Sequence, residues 1–141
     1  MSSEKFVYVT YIAATPQNVW KALLEGELTR QYWKHEHVCD WQPGASWQLV
    51  ADDGKRTVKH IGKVLECVPD QRLVLAWGAV GEDPAKHSRV AIDIEPVDAM
   101  VRLTVTHEDL SADMQRRISK GWPLVLASLK SFLETGRPLN F

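Results

Sequence analysis

Gly121-Trp122-Pro123-Leu124-Val125-Leu126-Ala127-Ser128-Leu129-Lys130-Ser131-Phe132-Leu133-Glu134 is the stretch that decides the fold of this chain. Trp122, Leu126, Leu129 and the Phe132-Leu133 pair recur at i, i+4, i+7 and i+10/i+11, drawing one apolar stripe down a helix. Ser128, Lys130, Ser131 and Glu134 fall mostly off that stripe. Pro123 fits a first turn, where a missing N–H costs nothing, and Gly136 followed by Pro138 supplies the stop. So wide an apolar face needs a broad surface to lie on. The remaining sequence offers one in the form of an antiparallel sheet.

Strand patterns fill most of the chain upstream. Phe6 to Ala14 is rich in β-branched and aromatic residues, although both parities are apolar and the inner face stays open. Thr15-Pro16 reads as an N-cap with proline at the first helical position, opening a short helix through Val19, Trp20, Leu23 and Leu24 that Gly26 ends. A second short helix, Glu27 to Lys34, presents Leu28, Tyr32 and Trp33. His37 to Trp41 is the next strand, and Gln42-Pro43-Gly44-Ala45 turns the chain. Trp47, Leu49 and Ala51 then share a face up to the turn at Asp52-Asp53-Gly54-Lys55.

Arg56 to Val68 is a long strand on which Lys59 and Lys63 mark the wet face, turning Val58, His60 and Val64 inward. Leu65 and Cys67 conflict with that register, which predicts a bulge near Gly62 or Glu66. Leu73, Leu75 and Trp77 share a face of the strand Arg72 to Gly78. After a polar loop, Val90, Ile92 and Ile94, then Val101, Leu103 and Val105, form the inner rows of two amphipathic strands, and His107 continues the second row. Ser111 caps a helical segment through Met114 and Ile118, which Gly121 is expected to interrupt. The sum is an α+β domain with a curved antiparallel sheet of about seven strands. Two short helices follow strand 1, and a long C-terminal helix lies across the sheet. A wedge between sheet and helix is where a ligand would sit.

Composition sets outer limits. The 141 residues suit a single domain over 1–141, with 45% hydrophobic and 25% charged residues and a net charge of -1. Such a balance offers no basic surplus for nucleic acid or an anionic membrane. No apolar run approaches a membrane span, and Met1-Ser2-Ser3-Glu4-Lys5 leads straight into a strand pattern, so neither a span nor a signal peptide is expected. Cys39 and Cys67 make no disulfide framework, which points to a reducing cytoplasm. Six tryptophans must either fill a core or wall a pocket.

Several local motifs stand in a telling order: Ala14-Thr15-Pro16-Gln17-Asn18-Val19-Trp20, Tyr32-Trp33, Pro43-Gly44-Ala45-Ser46-Trp47, Gly62-Lys63-Val64-Leu65-Glu66 and Arg72-Leu73-Val74-Leu75-Ala76-Trp77. The closing Gly121-Trp122-Pro123…Leu126…Leu129-Lys130…Leu133-Glu134-Thr135-Gly136 completes the set. Together they resemble the SRPBCC, or START-like, helix-grip superfamily that includes the major birch-pollen allergen. More closely, they resemble its bacterial branch related to the C-terminal domain of the activator of the Hsp90 ATPase. The resemblance spans nearly the whole chain. It departs at Gly44-Ala45, where relatives often carry two glycines. It implies the helix-grip fold, and it brings an Hsp90-type chaperone into view as a partner by resemblance alone. Cavity residues drift widely among such relatives, so the fold transfers and the substrate does not.

The expected ligand site lies between sheet and helix. Trp33, Trp41, Trp47, Trp77 and Trp122 are its candidate walls, completed by Ile92, Val105 and Leu126. His60 and His107, on inward parities of separate strands, are either satisfied core histidines or polar anchors for a mostly apolar ligand. His35, His37 and Cys39 alternate as ligands of a zinc or copper ion might, but no fourth ligand is evident and no metal is expected. The relatives carry apolar residues where His37 and Cys39 stand, which places His37 with pocket or core. No nucleophile elbow, phosphate loop or metalloprotease motif appears, and no cofactor is implied. The nearest acid–base set is His60 and His107 with Tyr32, for the proton transfer or cyclisation that some polyketide cyclases of this superfamily carry out, although nothing in the spacing requires it. The expected function is therefore binding of a small hydrophobic or aromatic ligand, with an Hsp90-activator-like interaction module or a cyclase-like enzyme as alternatives. Homodimerisation is left open.

Overall fold

A single curled antiparallel sheet carries every strand of the computed structural model, which describes residues 4–140. Met1 to Ser3, on which part of the N-terminal expectation rests, lie outside the described residues. In chain order the elements are β1 (Glu4–Ile12), α1 (Pro16–Leu24), α2 (Gly26–Trp33), β2 (His35–Val38), β3 (Ser46–Ala51) and β4 (Val58–Val68). They continue with β5 (Arg72–Gly78), β6 (Ser88–Val97), β7 (Met100–Leu110) and α3 (Ala112–Thr135). The strand order across the sheet is β1-β7-β6-β5-β4-β3-β2, so the two edges are strands 1 and 2. Helices α1 and α2 must carry the chain from one edge to the other, which makes them the plug of the curled sheet. This is the α+β helix-grip architecture.

Local chemistry explains most boundaries. The Thr15 side chain accepts the Asn18 N–H at 3.1 Å and Pro16 occupies the first turn of α1. Gly26, expected as the stop of α1, instead opens α2. A Cβ there would come within 2.5 Å of Glu36 and 2.6 Å of the His37 carbonyl, so glycine permits the close approach of helix and strand. The long strand does slip register, between Val64 and Glu66, and Leu65 is left half-exposed at the bulge. A second slip, between Leu49 and Val50 of β3, leaves Lys59 of β4 without a partner.

The final helix departs from expectation. Helix α3 runs unbroken for 24 residues, through Gly121 and Pro123, from an N-cap at Ser111 to Gly136 in the left-handed region at φ 80°. Pro123 removes one interior hydrogen bond, that to the Ser119 carbonyl, and Gly121 is a poor helix former. Tertiary packing overrides both, because Ile118, Trp122, Val125, Leu126 and Leu129 form one buried stripe that crosses the weak point. The far end is tied to the β1 edge. Lys130 Nζ donates to the Tyr11 carbonyl at 2.6 Å, and Glu134 accepts the Ala13 N–H at 2.8 Å. No helix among the described residues is long and apolar enough to cross a membrane.

Candidate functional site

Near the midpoint of α3 the helix and sheet part. They enclose an opening of about 290 Å³ lined by Trp33, Leu49, His60, Trp77, Trp122 and Val125 among others. Three indoles from three elements meet there: Trp33 at the end of α2, Trp77 on β5 and Trp122 on α3. Their ring centroids lie 6.3 Å (Trp33 to Trp77), 5.6 Å (Trp33 to Trp122) and 5.8 Å (Trp77 to Trp122) apart. Tilted and offset arrangements of this kind are the favoured aromatic contacts. Met114, Ile118 and Gly121 of the same helix complete the wall, with His35 and Lys59 from the sheet and Arg117 from the helix.

Behind Trp77 and Trp122 runs a buried polar chain. Indole nitrogen can only donate, so the 3.1 Å contact of Trp122 Nε1 with His107 Nδ1 makes Nδ1 the acceptor. The neutral ring then carries its proton on Nε2 and donates to Ser88 Oγ at 2.7 Å. Ser88 passes the sequence on by donating to the Trp77 carbonyl at 3.0 Å. Protonating His107 would put a second donor against the Trp122 N–H. Burial, with His60 nearby, pushes the His107 pKa down to about 4.

His37 is held in the core in a similar way. Its Nδ1 donates to the Leu23 carbonyl at 2.8 Å, while Trp33, Trp41 and Trp47 surround the ring edge-on. Burial takes its pKa down to about 4, although the bond to Leu23 works in the other direction. The buried Nε2 has no partner. His60 packs in a tilted contact with Trp77, ring centroids 4.9 Å apart, and burial lowers its pKa too, offset in part by the Gly78 backbone. Two further buried nitrogens, His60 Nδ1 and Trp77 Nε1, lack hydrogen-bond partners. Both belong to rings that line the opening.

Of the residues expected from sequence, Trp33, His60, Trp77 and Trp122 stand on this wall. The others are placed elsewhere. Trp47 is fully buried and donates to the Ala76 carbonyl at 2.9 Å, so it packs behind Trp77. Ile92, Val105 and Leu126 belong to the solid core, and Trp41 packs on its margin. His107 sits one layer behind the wall, where it orients Trp122 rather than reaching the opening. Tyr32 is also remote, its hydroxyl donating to the Ala22 carbonyl at 3.0 Å, so His60, His107 and Tyr32 form no acid–base set. His35, His37 and Cys39 do not converge, and no metal-holding group of three such ligands occurs among the described residues.

Sequence reasoning left His35, Leu49, Lys59, Met114, Arg117, Ile118, Gly121 and Val125 off the site. A continuous helix would have placed Ile118 and Val125 beside Trp122, and Gly121 between Ile118 and Val125, by i±3/i±4 spacing; assuming a break at Gly121 hid them. Lys59 and His60 are consecutive and would point to opposite faces of a regular strand. The slip opposite Leu49 and Val50 brings both to the opening.

Residues 13–134 match the family described as activator of Hsp90 ATPase homolog 1-like protein. No curated protein matches the chain by sequence. Among solved structures, CalU16 from Micromonospora echinospora is similar over 97% of this chain and 78% of its own, with a TM-score of 0.79 and 23% identity. The Aha1 dimer from Colwellia psychrerythraea is similar over 94% of this chain and 98% of its own, with a TM-score of 0.80 and 19% identity. PFC0360w, an HSP90 activator from Plasmodium falciparum, is similar over 92% and 95%, with a TM-score of 0.77 and 16% identity. At these identities the likeness is one of fold.

Proposed function

Because the chain belongs to the activator of Hsp90 ATPase homolog 1-like family, and a shared fold leaves the ligand open, we propose its function from the opening itself. The protein binds a small aromatic or otherwise apolar molecule between α3 and the sheet. One observation carries this reading: three indoles from three elements converge on an unfilled space of about 290 Å³. Solid packing is the default of protein interiors, so an unfilled apolar cleft between helix and sheet forfeits contacts. An occupant would recover them. The volume lies at the lower end of the roughly 300–1,000 Å³ typical of ligand pockets, which favours compact ring systems over long lipids. Burying roughly 300–400 Å² of apolar ligand at about 25 cal/mol per Å² supplies the about −8 kcal/mol of a micromolar complex before association costs.

The test uses Gly121, where an added Cβ meets nothing within 4 Å and points to open space. Gly121→Ala should raise stability by about 0.5–1 kcal/mol through helix propensity alone and leave ligand binding nearly intact. Gly121→Phe should fill the opening. Titration of flavonoids and polycyclic phenols against tryptophan fluorescence should give saturable quenching or a shift in the wild type and Gly121→Ala and none in Gly121→Phe, with long-chain fatty acids binding more weakly. Equal responses in all three proteins would remove the opening as the site.

A second reading, a protein-interaction module acting on an Hsp90-type chaperone, is favoured by the family and by the exposed row Val7, Val9 and Tyr11 on the edge strand β1. It expects the protein to change that chaperone's ATPase rate, and Val9→Asp to abolish the change while ligand quenching persists.

A further inference from the structure

The side chains at the opening are unbalanced in charge. The cations Lys59 and Arg117 line it beside His35 and His60, and no aspartate or glutamate does. Lys59 makes no ion pair among the described residues and is held at the rim by the strand slip. Arg117 pairs with Asp113 Oδ2 at 3.3 Å, but the same carboxylate also serves Arg116 through Oδ1 at 3.2 Å. One negative charge thus faces two arginines, and the rim keeps a positive surplus. The floor is different. It is made of Trp33, Trp77, Trp122, Leu49, Ile118 and Val125, which offer aromatic faces and aliphatic surface.

An apolar floor under a cationic rim fits an amphipathic anion. We propose that the ligand class is a compact aromatic carboxylate, its ring system stacked among the three tryptophans and its carboxylate held at the rim by Lys59 and Arg117. This rests on the reading of the opening as a ligand site and adds the charge of the occupant to it. Guanidinium and ammonium groups bind carboxylates through charge-assisted hydrogen bonds, and partial burial beside indoles strengthens them over fully solvated pairs. Arginine also stacks on aromatic planes, so Arg117 can hold both the carboxylate and the ring edge. His60, kept neutral by burial at ordinary pH, contributes a hydrogen bond rather than a charge. Lys59 and Arg117 are therefore the two groups that discriminate charge.

The probe pair is 2-naphthoate and 2-naphthamide, which share the ring system and differ in charge. Titrations by tryptophan fluorescence should show wild type binding 2-naphthoate roughly tenfold tighter than the amide, the scale of one charge-assisted contact. Raising the salt concentration should narrow that margin, because the rim is exposed. In Lys59→Gln/Arg117→Gln the two probes should bind within about twofold of one another, because 2-naphthoate loses far more affinity than the amide, which loses only the Arg117 ring contact. Asp113→Asn, which releases both arginines, should tighten 2-naphthoate only. Both altered regions are at the surface, and a denaturant midpoint matching wild type confirms that each variant folds. Equal affinity for both probes in wild type overturns the anionic assignment and leaves the proposed ligand site standing. Failure of both probes to bind overturns the two together.

Discussion

Acidification from pH 7 to pH 4.5 should strip several kcal/mol from the stability of this protein, because two buried histidines must remain neutral in the folded state. His37 and His107 each have a folded pKa near 4, against about 6.5 when unfolded. The unfolded chain therefore binds more protons as the pH drops. The stabilisation is present in full above pH 6.5 and is lost progressively as the pH falls toward 4. Each histidine contributes roughly 3 kcal/mol over that range, and the two together rival the about 5–15 kcal/mol of a typical domain. His60, also shifted down by burial, adds to the trend. Glu134 and Asp53 have pKa values below the ordinary carboxylate range, so their losses fall at lower pH and leave the window above pH 5 to the imidazoles. Urea melts at pH 7, 6, 5.5 and 5 should show a steep fall in midpoint. His37→Phe should flatten that fall by about half even if it lowers the plateau. A midpoint constant from pH 7 to 5 would contradict the burial of both rings.

Gly62→Ala should cost more than about 4 kcal/mol or prevent folding outright, the range reserved for backbone clashes and core disruption. A Cβ at Gly62 would sit 1.7 Å from the Ala76 carbonyl oxygen and 2.7 Å from Trp47 Nε1. Neither neighbour can step aside cheaply. The carbonyl belongs to the β4–β5 ladder, and the Trp47 indole donates to that same oxygen at 2.9 Å. Loss of the glycine therefore breaks a strand pair and detaches the tryptophan on which Trp77 packs, 5.0 Å away. Expression in soluble form and a denaturant melt decide the matter, with Gly121→Ala as the matched control in open space. A Gly62→Ala protein melting with the wild type would overturn the account of this contact.

The fold was legible because its signals are local and periodic. The inner rows of β6 and β7 alternate cleanly, Thr15-Pro16 announces α1, and Gly136 ends α3 with the positive φ that glycine supplies. The bulge was legible as a conflict of parity between Val64 and Cys67. The site was read less well, and for specific reasons. Parity tells which side of a strand a residue faces, and not how deep it lies. Ile92, Val105, Trp47 and His107 are all inward and fully or almost fully buried, yet Trp47 lies behind Trp77 and His107 behind Trp122 rather than at the opening. Gly121 and Pro123 both argue locally for a helix break, and only the uninterrupted stripe from Ile118 to Leu129 reveals why packing wins. The pairing slip that brings Lys59 to the rim depends on the partner strand, which a single strand's sequence does not contain.

The central claim, that the opening beneath α3 is a ligand site walled by Trp33, Trp77 and Trp122, is tested most directly through the indole N–H resonances. The six tryptophans give six such signals, assignable by single replacement with phenylalanine. Titration with 2-naphthoate should move the Trp33, Trp77 and Trp122 signals, since all three rings line the opening and would feel the ring current of the bound naphthalene. Trp47, bonded to the Ala76 carbonyl one layer behind, and Trp20, on α1 away from the opening, should stay in place. Movement of those two with the three wall indoles unchanged would put the ligand elsewhere, and six unmoved signals with every probe would contradict the claim altogether.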